Sequence, residues 1–497
     1  MKHRWVLPVF LLTAPVLRAS AFFGSVVDWD ESLYLLIART VLEGNAPYTA
    51  IWNNTPPGIY FIFAPVLFVF PRSIPAIRAL TCVVVSLTAF LLYRLGIALN
   101  RGDHAIGLTA GALYVLYSSS PAMGGLASNG EIFFNFFTVC GLLTLRTGRS
   151  TRNRFLAGLL FGVGFQIKYH VAFDFLAGLL IAGGQILSEK AKSRALMRQC
   201  SPMMLGFSLP SVVVASYFLT AGHLQDYAHC AIVSNLIYTA NCSTDLGRAL
   251  SVLADQILAH PLLWVSSGFI GLRLLLGRGN GDRLPILIWF IAGLLGVLAT
   301  RRFWDHYFLQ VLPAMCLLAA HAVLEILRLD MTSLQKAFVL VVLLVSTSML
   351  SPVHVNLNTA VQLAYQRYVS KTDEWKDTPR QIADYVNERA GGGDTIYVVD
   401  YQPVIYFLAQ AQPPTRYVFP DHLTNPDLTT MTGIDPVAEL DAIMEKAPLY
   451  VVCKREPDYA PSLFYSTLDG YLAERYVYET SFHEQDGAEV GLYRLRE

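Results

Sequence analysis

Three carboxylates in four residues, Asp28-Trp29-Asp30-Glu31, stand where the chain leaves its first apolar stretch, and Glu131 follows the turn-forming Ser128-Asn129-Gly130. Cations and imidazoles sit at comparable points: Lys168 and His170 close one apolar run, and Arg301, Arg302, Asp305 and His306 lie between two later ones. These types fit an anionic, lipid-anchored substrate, with cations holding a phosphate and a carboxylate accepting a proton from an acceptor hydroxyl. Each has a plainer role when taken alone. Acids at a helix start are favourable by roughly 0.3–1 kcal/mol, and ionisable groups at a membrane boundary can snorkel. The functional reading gains weight because the topology below puts all of them on one membrane face.

The elements that would position them are apolar helices. Of 497 residues, 54% are hydrophobic and 15% charged, too apolar for a soluble chain of this length. Continuous apolar runs, rather than alternating ten-residue segments, favour helices over a transmembrane barrel. Helices are expected near 5–23, 74–98, 104–120, 131–146, 154–169, 171–187, 202–220, 256–276, 284–300, 305–326 and 335–352, about eleven spans. Lys2 and Arg4 precede the first, which lacks a small-residue cleavage site and reads as a retained anchor with a cytoplasmic N-terminus. Alternating from there, most Lys and Arg of the short loops fall on the cytoplasmic side, as the positive-inside rule requires. The 37 basic and 37 acidic residues cancel, and no nucleic-acid partner is expected.

The external loops then comprise 23–73, 121–130, 221–255, 301–305 and everything after about 353. The first loop should carry a helix over Ser32 to Glu43, with Leu33, Leu36, Ile37 and Val41 on one face and Gly44 at its end. Residues 58–70, bracketed by Pro56-Pro57 and Pro71, are too short to span and suit an interfacial or dipping helix. From residue 356 the composition turns polar, with helices expected at 378–390, 403–410 and 437–446 and extended segments at 395–399, 415–419 and 449–453. The expected architecture is therefore an α-helical polytopic membrane domain, 1–355, followed by a small extracytoplasmic α/β domain, 356–497. Gly391-Gly392-Gly393 follows a helix and reads as its C-cap, not as a phosphate loop. The cysteines lack metal-ligand spacing; Cys230 and Cys242 share an external loop, where a disulfide is open.

These residues resemble the GT-C class of membrane glycosyltransferases, in particular the branch of protein O-mannosyltransferases and aminoarabinose transferases. Asp30-Glu31, the helix ending at Gly44, and "TPPGIY" with Tyr60 match that opening. Glu131 in "ASNGEIFFNFF", Lys168 in "GVGFQIKYH" and His306-Tyr307 in "RRFWDHYFLQVLP" follow in order, and the tail looks like a periplasmic domain. Thr55 replaces the Lys that many relatives carry before Pro-Pro, and Asp28 is an additional acid.

The resemblance implies a polyprenyl-phosphate-sugar donor, an acceptor hydroxyl on a lipid, glycan or protein, and an inner-membrane protein with a periplasmic tail. Asp30 would be the general base of an inverting displacement, with Glu31 and Glu131 positioning substrates. Lys168, Arg301, Arg302 and His306 would neutralise the phosphate, with Asp28, Tyr60, His170 and Tyr307 as further substrate contacts. Relatives generally need no metal, although the acid cluster leaves a divalent ion open. A transporter or flippase of lipid-linked sugars is the alternative; the sequence shows no paired halves with broken midplane helices. A non-catalytic scaffold is the third possibility, in which case neutralising Asp30 and Glu131 would leave activity unchanged.

Overall fold

The computed structural model describes residues 3–188, 193–241, 246–277, 283–328, 332, 334–335, 352–370, 377–391, 393–454 and 462–496. The chain divides into two units: Met1–Ala21, Arg78–Tyr217 and Thr244–Ala360 form one, and Phe22–Ile77, Phe218–Ser243 and Val361–Glu497 form the other.

The first unit is helical. It contains α1 (Val6–Leu17), most of α4 (Ile74–Leu99), α5 (His104–Tyr117), α6 (Gly130–Thr147), α7 (Thr151–Phe165), α8 (Val171–Ser188), most of α9 (Ser193–Thr220), α12 (Leu246–Ala259), α13 (Pro261–Leu275), α14 (Leu284–Ala299), α15 (Leu312–Leu327) and most of α16 (Pro352–Tyr365), counted along the whole chain. Among the described residues, Ile74–Leu99 and Cys200–Thr220 are long and apolar enough to cross a membrane, and α12 with α13 makes a third if the bent pair is one span. Several other expected spans are present as shorter apolar helices. The expected helix at 335–352 lies almost wholly outside the described residues, as does Cys242 of the proposed disulfide.

Glycines let these helices touch backbone to backbone. A Cβ on Gly158 would lie 2.1 Å from the Met203 carbonyl oxygen, and one on Gly162 would lie 2.4 Å from that of Phe207. This small-x-x-x-small pair seats α7 against α9, a device suited to a solvent in which apolar burial supplies no driving force.

Several boundaries differ from the sequence expectation: the helix expected at 5–23 ends at Leu17, the one expected at 202–220 starts at Ser193, and three more differ for a local reason. The run at 256–276 is two helices bent by 101°, because Pro261 donates no hydrogen bond and forces His260 out of helical geometry, to φ −133°. His260 Nε2 is held there, 2.8 Å from Ser120 Oγ. The helix expected to 169 ends at Phe165, so Lys168 and His170 occupy a turn. The run at 305–326 opens as a 3-10 segment, Asp305–Gln310, and becomes α-helical at Leu312.

The second unit contains α2 (Trp29–Leu42), α3 (Gly58–Val69), the short α10 (Leu224–Tyr227) and α11 (Ser234–Ala240), and the tail elements α17 (Thr378–Arg389), β1 (Ile396–Val399), α18 (Val404–Leu408), α19 (Pro426–Thr432), α20 (Pro436–Glu445), β2 (Tyr450–Lys454), α21 (Leu463–Arg475), β3 (Tyr476–His483) and β4 (Glu489–Leu495). The sheet runs β1-β2-β4-β3, with β1 and β2 parallel and the other neighbours antiparallel. Residues 415–419, expected to be extended, form bends; the neighbouring Gln412 pairs with Thr395 through one isolated bridge. The first external loop and the tail belong to this same unit. Accordingly α2 is not amphipathic in place: α3 and α18 both pack on it, and Glu31 through Ala38 are all buried.

Candidate active site

In the helical unit the site begins with a buried arginine. Arg18, 1% exposed, donates to the carbonyls of Ser118, Gly125, Leu126 and Ala127. A charged donor shared among four carbonyls fixes the loop from 118 to 127, whose backbone would otherwise lack partners away from water. Asn129 Nδ2 adds a bond to the Gly124 carbonyl at 3.1 Å. Gly124 is left-handed (φ +57°), and a Cβ there would meet His306 Cβ at 3.1 Å, so glycine serves both conformation and fit.

This loop delivers Glu131 to the first turn of α6, fully buried. Lys168 Nζ lies 2.8 Å from Glu131 Oε1 and 5.2 Å from the centre of the Tyr307 ring, within cation–π range. Gly130 leaves room for the lysine stem, since a Cβ there would meet Lys168 Cγ and Cε at 3.3 Å. His170 and His306 both stand edge-on to Tyr307, with ring centres 4.9 Å and 4.8 Å away. Burial, and then the neighbouring Lys168 ammonium, push His170 down to about 3, so it is neutral at physiological pH. Its Nδ1 is buried without a hydrogen-bond partner.

A second layer holds the turn. Gln310 Nε2 donates to the His170 carbonyl at 2.9 Å and to Asp174 Oδ2 at 2.7 Å, while Trp289 Nε1 donates to Asp174 Oδ1 at 2.6 Å. Asn135 Nδ2 donates to the Leu309 carbonyl at 2.8 Å. Sequence reasoning missed Arg18, Asp174, Trp289 and Gln310; an aspartate inside the apolar run of α8 was the available signal, because an intramembrane acid requires a partner.

Five of the sequence candidates therefore meet: Glu131, Lys168, His170, His306 and Tyr307. Arg301 and Arg302 occupy the loop leading to His306, where Arg301 (φ +58°) and Phe303 (φ +55°) adopt the left-handed conformation uncommon for non-glycine residues.

The remaining candidates lie in the second unit. Asp28 is the N-cap of α2, its Oδ1 accepting the Asp30 backbone N–H at 2.8 Å. Asp30 is half-buried, and its Oδ2 accepts the Tyr34 hydroxyl at 3.0 Å. Glu31 is 1% exposed. The Tyr60 ring centre is 6.0 Å from that of Tyr34. The hydroxyls of Tyr48 and Tyr60 both donate to the Thr55 carbonyl, at 2.9 and 3.2 Å, and Asn235 donates to the Asn54 carbonyl at 2.5 Å. The chain into Pro56-Pro57 is thus held from three sides. The tail contributes too: Arg39 donates to the Tyr406 carbonyl at 2.9 Å, and the Trp52 N–H to that of Arg416 at 2.8 Å.

Among the described residues, no three His, Cys, Asp or Glu side chains are grouped to hold a metal ion. Glu131 already has the Lys168 ammonium as its counter-charge.

No protein-family model matches the sequence, and no curated protein matches it. Solved structures do match. ArnT from Cupriavidus metallidurans in the apo state aligns with a TM-score of 0.58 at 13% identity, over 98% of this chain and 97% of that one. The same protein bound to undecaprenyl phosphate gives 0.56 at 14%, over 99% and 98%. The apo oligosaccharyltransferase of Archaeoglobus fulgidus gives 0.52 at 15%, over 99% of this chain and 74% of that one, and the same protein in complex with zinc and sulfate gives 0.52 at 14%, over 98% and 72%. From end to end, the chain has the fold of the GT-C polyprenyl-phosphate-dependent membrane glycosyltransferases.

Proposed function

We propose that this protein transfers a sugar from a polyprenyl-phosphate carrier to an acceptor hydroxyl at the extracytoplasmic face of the membrane. The observation that carries the reading is the cluster of Glu131, Lys168, His170 and Tyr307, built on a chain that aligns over nearly its full length with ArnT. Buried charge is expensive in an apolar setting, and a chain that maintains it there has reason to.

In the proposed reaction the acceptor oxygen attacks the anomeric carbon. The bond from that carbon to the phosphate oxygen breaks, and the carrier leaves with the electron pair as polyprenyl phosphate. Asp30, oriented by the Tyr34 hydroxyl, takes the acceptor proton. Lys168, shared between Glu131 and the leaving phosphate, offsets the charge that grows on that oxygen, with Arg301 and Arg302 as further cations. The buried, unpartnered Nδ1 of neutral His170 supplies a hydrogen bond rather than a charge. A divalent ion is not required by this scheme; chelator treatment without loss of activity would agree with it.

The test is transfer from a panel of polyprenyl-phosphate sugars by purified wild-type protein, Asp30→Asn and Glu131→Gln. The expected losses are at least 100-fold for Asp30→Asn, within the range for removing a general base, with correct folding checked by gel filtration. Unchanged turnover removes Asp30 from the mechanism. Movement of the carrier across vesicles without transfer would favour a flippase instead.

A further inference from the structure

Away from that cluster, a cavity of about 230 Å³ opens in the helical unit between α4, α6, α8 and α14. Its walls are apolar, with Leu95, Leu142, Ile181 and Trp289 among them, and Arg146 and Arg154 complete the lining. Trp289 spends its indole N–H on Asp174. Arg154 is 6% exposed, whereas Arg146, in the last turn of α6, is exposed and has no acidic partner among the described residues. The end of α6, the turn after it and the start of α7 carry Arg146, Arg149, Arg152 and Arg154, and the sequence from 132 to 173 contains no Asp or Glu.

We infer that this cavity is a binding site for an anionic phospholipid, its phosphate between Arg146 and Arg154 and part of one acyl chain among the leucines. Charge complementarity selects the occupant. A basic rim beside an apolar slot between membrane helices matches an acidic headgroup with its tail attached, and a zwitterionic lipid gains less there. Arg-rich loops also mark the cytoplasmic face, where acidic lipids are the available partners. The site uses none of the residues assigned to the reacting groups, and it shares only Trp289 with the layer that holds the His170 turn.

The test is native mass spectrometry of the full chain with equimolar phosphatidylglycerol and phosphatidylcholine of the same acyl chains. Wild type should retain phosphatidylglycerol at least tenfold better. Arg146→Gln, an exposed change that leaves the fold intact, should reduce that preference several-fold, and Leu142→Trp, which fills the slot, should reduce retention of either lipid. Equal retention of the two lipids by wild type, or an unaltered preference in Arg146→Gln, overturns the assignment. Displacement of phosphatidylglycerol by equimolar undecaprenyl phosphate also overturns it, making the slot a carrier site.

Discussion

Replacing Lys168 by Met should destabilise the protein by about 3–5 kcal/mol, because it removes the ammonium 2.8 Å from a carboxylate that is fully buried. Glu131→Gln should cost less. The Lys168 side chain keeps 10% exposure, and its ammonium retains the Tyr307 ring. The double variant, with neither charge, should lie nearer to wild type than Lys168→Met does, since a buried pair and a neutral pair of similar volume are often equivalent in stability. The four proteins form a double-mutant cycle with an expected coupling of about 1–3 kcal/mol. Chemical unfolding in one detergent, followed by tryptophan fluorescence, measures it. Losses that add to within about 0.5 kcal/mol would refute the reasoning, because they would mean that neither charge depends on the other.

Gln310→Leu removes two hydrogen bonds and should cost about 1–3 kcal/mol; if the Asp174 layer positions the turn, donor KM should also rise, and a stability loss with unchanged kinetics would confine the layer to a structural role. Arg18→Met leaves four carbonyls without this donor, at about 1–3 kcal/mol for each fully buried one, and limited proteolysis should then cut between residues 118 and 127 faster than in wild type. His422, packed against Trp52 and Phe419, is held by burial at about 3. The unfolded chain therefore binds the extra proton below its ordinary value near 6.5, so stability is complete above that pH and lost as pH falls toward 3, by about 2 kcal/mol at pH 5. His422→Phe should flatten that slope, and an identical pH dependence of the variant would count against it.

Much of the fold was legible because apolar periodicity and helix-stop residues act locally. Helices at 74–98, 131–146 and 284–300 follow from such signals, as do the tail segments expected up to residue 453, except 415–419, which forms no strand. What escaped depends on neighbours distant in sequence. The continuous burial of Glu31 through Ala38 in α2 requires knowing that α18, more than 360 residues later, also packs on it. Lys168 and Glu131 could be named from residue type and position, but their 2.8 Å contact could not. Asp174 was passed over because a single acid scarcely disturbs the hydropathy of an otherwise apolar helix. The strands β3 and β4, which include charged and exposed positions, lack the short continuous apolar run that marks β1 and β2.

Arg18 also bears on the order in which the molecule can assemble. Its four acceptors lie 100 to 109 residues further along the chain, so during synthesis the guanidinium emerges well before the carbonyls it will grip. Until they arrive, the arginine must be kept hydrated or lent a temporary partner by the insertion machinery. Ordering of the loop that leads to Glu131 is thereby coupled to the arrival of the chain just beyond α5, and no shorter fragment can satisfy this arginine as the folded protein does.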